Sequence, residues 1–214
     1  MKLRFIIDKG YDLELAKGFG FSSASLEYID RFYANSSVAL KLTQELYQSS
    51  WDAINDKFSK YIEEETGYKW FYPEYECVVS AIHIGISSWG NAPKIARIWK
   101  ENPYSMRRIT AHELILSHYF EIYKRHFKHE GLIDGQIWAL AEIAAFALTS
   151  LTDQVEEFWP WNTEYYTDHN YPHIVDLQNQ LKEPFIKRKD FAEYIKKGIE
   201  LIRKYPNMSP SSIQ

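Results

Sequence analysis

The chain has 214 residues, 45% hydrophobic and 25% charged, with a net charge of -4; that length suits one domain with a real core, and the acidic balance excludes a general nucleic-acid binder, which needs a basic surface. No apolar run reaches the roughly 20 residues of a membrane helix, and the N-terminal apolar run is too short for a signal peptide. The single cysteine, Cys77, excludes a disulfide framework, suits a cytoplasmic protein and reads as a small buried hydrophobe.

Residues 2–8 read as a first strand. Ser22 to Tyr33 and Val38 to Thr66 read as helices, the second with an amphipathic stripe through Leu40, Leu42, Leu46, Trp51, Ile54, Phe58 and Ile62, and Gly67 as its C-cap. Lys69 to Tyr72 and Glu76 to Ser87 read as strands of a hairpin around Pro73-Glu74. Residues 88–93 form a loop, and a short helix is expected to follow up to Lys100. Asn102-Pro103 signals a helix start, and that helix is expected to run to Phe127. Asp134-Gly135 opens another, from Gln136 to about Leu151. Residues 152–182 are aromatic and interrupted by proline, with little regular pattern. A last helix covers Arg188 to Lys204. The expected organisation is a single α+β domain over residues 1–205, a mainly helical body with a small sheet, followed by a disordered tail over 206–214.

The chemistry-bearing stretch is Thr110-Ala111-His112-Glu113-Leu114-Ile115-Leu116-Ser117-His118. A His-Glu pair inside an apolar helix is followed by a second His, and the next helix carries Glu142 within Trp138 to Phe146. Two imidazoles and a carboxylate form a common zinc ligand set, and a Glu beside the first His is the usual base in metal-assisted hydrolysis. Side chains four apart share one helix face, but His118 is six residues after His112, about 240° around an ideal helix. The two imidazoles converge only if the helix carries a π-bulge or unwinds locally.

These residues resemble the zincin metallopeptidases, and among them the glutamate-liganded branch with His-Glu-x-x-His and a downstream Glu. The dipeptidyl peptidase III family has one residue more between its histidines. Here Leu114, Ile115, Leu116 and Ser117 intervene, one more again, and Leu116 stands where the common motif has its second His. The resemblance covers residues 76–150. It implies that the strand through Val78 and Ile82 precedes a zincin-like active-site helix. It also implies that His112, His118 and Glu142 bind zinc and that Glu113 deprotonates a metal-bound water. His169, Tyr166 and Tyr171 would then contact a peptide or protein substrate or the transition state.

The alternative is a catalytically inactive protein of the same fold that binds a peptide or protein partner through its aromatic loop. A third reading is sugar binding by the segment around Trp159 and Trp161. Asp168 to His173 could supply ligands, but Pro172 argues against a helix there. His83 reads as a satisfied sheet residue. Ser117 and Cys77 lack the partners that nucleophilic catalysis needs, and there is no phosphate loop or dinucleotide fingerprint.

Overall fold

Strand β1 (Lys2–Ile6) opens the fold with alternating exposed and buried residues, so that Leu3 and Phe5 enter the core. The computed structural model describes residues 1–89, 93–160 and 171–208. It is α+β: a small four-stranded sheet with a mainly helical remainder. The described residues fall into two compact units. Residues 1–59 and 72–114 form the first, and residues 60–71 and 115–214 the second. No helix among the described residues is long and apolar enough to cross a membrane.

In the first unit the sheet order is β1-β2-β4-β3, with β2 at Glu74–Ser80, β3 at Gly85–Ile86 and β4 at Lys94–Ile98. β1, β2 and β4 are parallel, with Phe5 opposite Cys77 and Cys77 opposite Ile95; β3 runs antiparallel to β4. Parallel neighbours need long crossovers. The chain from β1 to β2 accordingly passes through α1 (Lys9–Gly18), α2 (Ser23–Asn35), α3 (Ser37–Asp52) and α4 (Asn55–Thr66). α1 is a short polar helix that the sequence pattern concealed; Asp8 caps it by accepting from the Tyr11 N–H at 3.0 Å. Ser22 caps α2 in the same way from Ser25.

The helix expected over Val38 to Thr66 is broken at Ala53-Ile54. Asn55 explains the break. Its Oδ1 accepts from Trp51 Nε1 at 3.0 Å and from the Leu3 N–H at 3.2 Å, and its Nδ2 donates to the Met1 carbonyl. α3 continues this role along the outer edge of β1. Gln48 Oε1 accepts from the Phe5 N–H at 2.8 Å, while Gln48 and Gln44 donate to the Leu3 and Phe5 carbonyls. An unpaired strand edge invites further pairing, and here side-chain amides fill it.

Three expectations fail in this unit. No hairpin forms around Pro73-Glu74, because β2 lies between two parallel partners and residues 69–72 are not a strand. β2 stops at Ser80, where Asp12 takes over its polar groups. The segment before Lys100 is strand β4 rather than a helix, with Ile95, Ala96 and Arg97 all buried.

Helix α5 (Met106–Ile122) belongs to the first unit up to Leu114 and to the second from Ile115. Asn102 forms the turn that precedes it, its Oδ1 accepting from the Tyr104 N–H at 2.8 Å. A π-helical turn (Tyr123–Phe127) follows α5, then a 3-10 turn ending at Gly131 with φ 68°.

In the second unit α6 (Asp134–Ser150) is apolar on all sides and buried along its length, as a central helix should be. α7 (Ile174–Lys187) and α8 (Phe191–Ile202) pack on it and on each other. α8 approaches closely enough that a Cβ at Gly198 would lie 2.9 Å from Leu140 Cδ2. Gln136 ties the end of α8 to α6. Its Nε2 donates to the Ile202 and Tyr205 carbonyls, both at 3.2 Å, and its Oε1 accepts from the Ile133 N–H. Replacing Gln136 by Leu removes one donor from each of those carbonyls, of which Ile202 keeps the Tyr205 N–H at 2.9 Å, so urea unfolding should show a loss of about 1–3 kcal/mol. A loss under about 0.5 kcal/mol would mean that water serves them equally well. Of the tail expected from residue 206, Met208 is fully buried, and 209–214 lie outside the described residues.

Candidate functional site

The two histidines of the motif share one unbroken α-helix. α5 is regular from Met106 to Ile122, and the π-helical turn comes only after it, at Tyr123–Phe127. The distortion that convergence requires is therefore five residues past His118, and six regular residues leave the imidazoles about 240° apart around the axis. His112 and Glu113 fall in the first unit, His118 and Glu142 in the second.

His118 is fully buried within the second unit. Its ring lies 4.7 Å from Trp70 and 5.2 Å from Phe71, and its Nε2 is 3.5 Å from Thr66 Oγ1. Its Nδ1 is buried without a hydrogen-bond partner. Burial drives its pKa down to about 3, with Glu63 and the Tyr68 carbonyl pulling it back only in part. This is a neutral imidazole enclosed by aromatic rings.

Glu142 is half-buried on α6. It is close enough to Tyr171 to act on it: burial first, and the Glu142 charge after it, push that phenol up to about 12. Glu142 and Tyr171 are thus the two expected site residues that the second unit brings together. Tyr166 and His169 lie outside the described residues, as does Trp161. His173 has φ 62° and stacks on Tyr205 at 4.9 Å, at the start of α7. Trp159 is buried and donates from Nε1 to the Thr149 carbonyl at 2.9 Å, so its ring is not a surface for sugars.

Glu113 is buried in the first unit, and a cation stands beside it. A Cβ built on Gly85 would collide with the Glu113 carboxylate and lie 2.9 Å from Arg97 Nη1. Carboxylate and guanidinium share the space that any other residue at 85 would fill. Arg97 is 1% exposed. It donates to the Ile84 carbonyl through Nη1 and to Glu101 through Nη2. Cys77 senses both charges: burial pushes its thiol well up, Arg97 opposes this and Glu113 adds to it. Gly85 lies in the segment expected as one long strand and Arg97 in the segment expected as a helix, so no local pattern joins them to Glu113.

A second buried polar cluster ends β2. Asp12 is wholly buried on α1. Its carboxylate accepts from Ser80 Oγ, from the Ala81 N–H at 2.8 Å and from Tyr33 Oη at 3.2 Å. Ser80 Oγ accepts in turn from the Ile82 and His83 N–H groups. His83 Nε2 lies 3.4 Å from the Asp12 carbonyl, under the rings of Phe19 and Phe21. Ser, His and Asp meet here, but the serine proton goes to Asp12 and not to the imidazole, so no nucleophile is activated. The cluster satisfies the chain where β2 turns away.

Among the described residues no three His, Cys, Asp or Glu side chains stand together to hold a metal ion. Zinc needs three or four such donors at one point, and the described residues do not fit it. No family model, no curated protein and no solved structure matches the chain.

Proposed function

We propose that this chain is a non-catalytic protein that binds a peptide or protein partner, with Glu113 serving as the buried counter-ion of Arg97. The observation that carries this reading is that the Glu113 carboxylate and the Arg97 guanidinium border the same space beside Gly85. A general base must be free to reach the proton it takes. A carboxylate held beside a buried guanidinium would leave that cation with Glu101 as its one anion if it turned elsewhere. The regular α5 and Leu116 at the fourth position after His112 support the same reading. So do large apolar side chains left on the surface of the first unit, such as Phe19, Val38, Leu42 and Ile84, because exposed apolar area marks binding surfaces. The proposal places the protein in the cytoplasm, where its one buried thiol has no oxidising partner to meet.

The competing reading is a zinc-dependent peptidase with Glu113 as base and His112, His118 and Glu142 as ligands. Elemental analysis of tag-free protein separates the two, together with peptide hydrolysis with and without chelator. The expected result is no stoichiometric zinc and no chelator-sensitive hydrolysis. Stoichiometric zinc lost in His112→Ala, with hydrolysis lost in Glu113→Gln, would overturn the proposal.

A further inference from the structure

β1 is the terminal strand of its sheet. Lys2 donates to the Pro73 carbonyl on the β2 side, so alternation along the strand turns the N–H and C=O groups of Leu3 and Phe5 outward. All four are held by side chains of the same unit. The Phe5 N–H donates to Gln48 Oε1 at 2.8 Å, and the Leu3 carbonyl accepts from Gln48 Nε2 at 3.1 Å. Gln44 holds the Phe5 carbonyl at 2.8 Å and Asn55 the Leu3 N–H at 3.2 Å. The Gln48 amide therefore makes the two bonds that one residue of a parallel neighbouring strand would make. Asp52 fixes its orientation by accepting from the same Nε2 at 2.8 Å. Helix residues four apart rise about 6 Å and strand residues two apart about 6.6 Å, so Gln44 and Gln48 keep step with Phe5 and Leu3. α3 lies against the face that carries Phe5, with the Tyr47 ring 5.6 Å away, and the glutamines reach the edge from there. An open groove of about 610 Å³ borders the same edge, lined among others by Phe5, Ile6, Gln44, Gln48 and Asp52.

We infer that Gln48 is an autoinhibitory guard: its amide stands in for a further strand and keeps β1 from pairing with β1 of a second copy. A bare strand edge is a template for another strand, and two identical edges pair antiparallel about a two-fold axis. An axis beside Arg4 sets Leu3 of each copy opposite Phe5 of the other, where the Phe5 N–H meets the Leu3 carbonyl. These are the one donor and one acceptor that Gln48 occupies, so pairing and guarding exclude each other. Arg4 would meet Arg4 on that axis, each already paired with Glu74 and Glu76, and only two new bonds form. The unguarded edge therefore associates weakly, with a dissociation constant on the order of 100 µM.

The guard is independent of the proposed partner, and sedimentation equilibrium with amide hydrogen exchange tests it on the full chain. Wild type should show a protected Phe5 N–H whose exchange is the same from about 1 to 500 µM. In dilute Gln48→Ala that N–H should exchange at least about tenfold faster. As the concentration of this variant rises, a dimer should appear and the Phe5 protection should return. The Glu76 N–H, which donates to the Pro93 carbonyl inside the sheet, should stay protected throughout and so separates a freed edge from an unfolded sheet. Gln48→Glu keeps an acceptor for Phe5 and puts a charge on the edge, so it should remain monomeric. A folded Gln48→Ala that stays monomeric at 500 µM overturns the proposal, as does a Gln48→Glu that dimerises. A wild-type Phe5 N–H that exchanges as fast as a free amide overturns it without any variant, because Gln48 then holds nothing closed.

Discussion

Replacing Arg97 by Met should remove about 3–5 kcal/mol of stability, a large fraction of what a domain of this kind has. Arg97 is 1% exposed, donates to the Ile84 carbonyl and Glu101, and borders the same space beside Gly85 as the Glu113 carboxylate. Met fills similar volume but supplies no donor, so the buried Glu113 carboxylate loses the guanidinium charge beside it. Glu101 suffers less, because its side chain is 23% exposed and can hydrate. Glu113→Leu alone leaves the cation with one anion instead of two and should cost about 1–3 kcal/mol. The decisive variant is the double one. Replacing both members of a buried ion pair by apolar residues is often neutral, because the desolvation penalty goes with the charges. Arg97→Met with Glu113→Leu should therefore be more stable than Arg97→Met alone, with a coupling of at least about 1.5 kcal/mol in the cycle. Urea unfolding of the four proteins measures it. Additive losses would mean that the two side chains are neighbours without being partners, and the counter-ion role of Glu113 would fall.

The misreading of β4 and the unforeseen place of Arg97 near Glu113 have one cause. Lys94-Ile95-Ala96-Arg97-Ile98 buries a charged residue, which composition and periodicity treat as a surface residue. Once that segment passes for a helix, Arg97 cannot be placed beside Gly85 and Glu113. The parallel pairing of β2 with β1 and β4 was equally hidden, because register between distant strands leaves no local signature. Local signals fared better. Ser22 caps α2, Gly67 ends α4 with φ 72°, and Asp134 opens α6. These depend on the backbone geometry of one turn, which a few neighbouring residues set. Asn55 marks the limit of such reasoning: it interrupts a long apolar stripe because its amide serves β1, more than 50 residues away in the chain.

Acid should weaken the protein through His118, by about 2 kcal/mol between pH 7 and pH 5. The imidazole is held down to about 3 in the folded chain by burial, against about 6.5 when unfolded. Between those values the unfolded chain binds a proton that the folded chain refuses. Stability contributed by this group is therefore complete above pH 6.5 and is lost as pH falls, at about 1.4 kcal/mol per unit, until the folded imidazole protonates near pH 3. His118→Leu should abolish that component of the slope. It should also cost less than about 1 kcal/mol at pH 7, because Leu suits the space beside Trp70 and Phe71 and the ring gives up little hydrogen bonding. Nδ1 has no hydrogen-bond partner, Nε2 lies 3.5 Å from Thr66 Oγ1, and the nearby Tyr68 carbonyl favours the charged ring only in part. A zinc ligand behaves oppositely: its loss is felt most at neutral pH, where the metal is bound, and least in acid, where protons have displaced it. Urea unfolding of wild type and His118→Leu at pH 7, 6 and 5 distinguishes the two patterns. Curves that converge in acid after a wide gap at pH 7 would make His118 a ligand; curves that meet at pH 7 and separate in acid, with the variant the more stable, would make it a core residue held neutral by its aromatic neighbours.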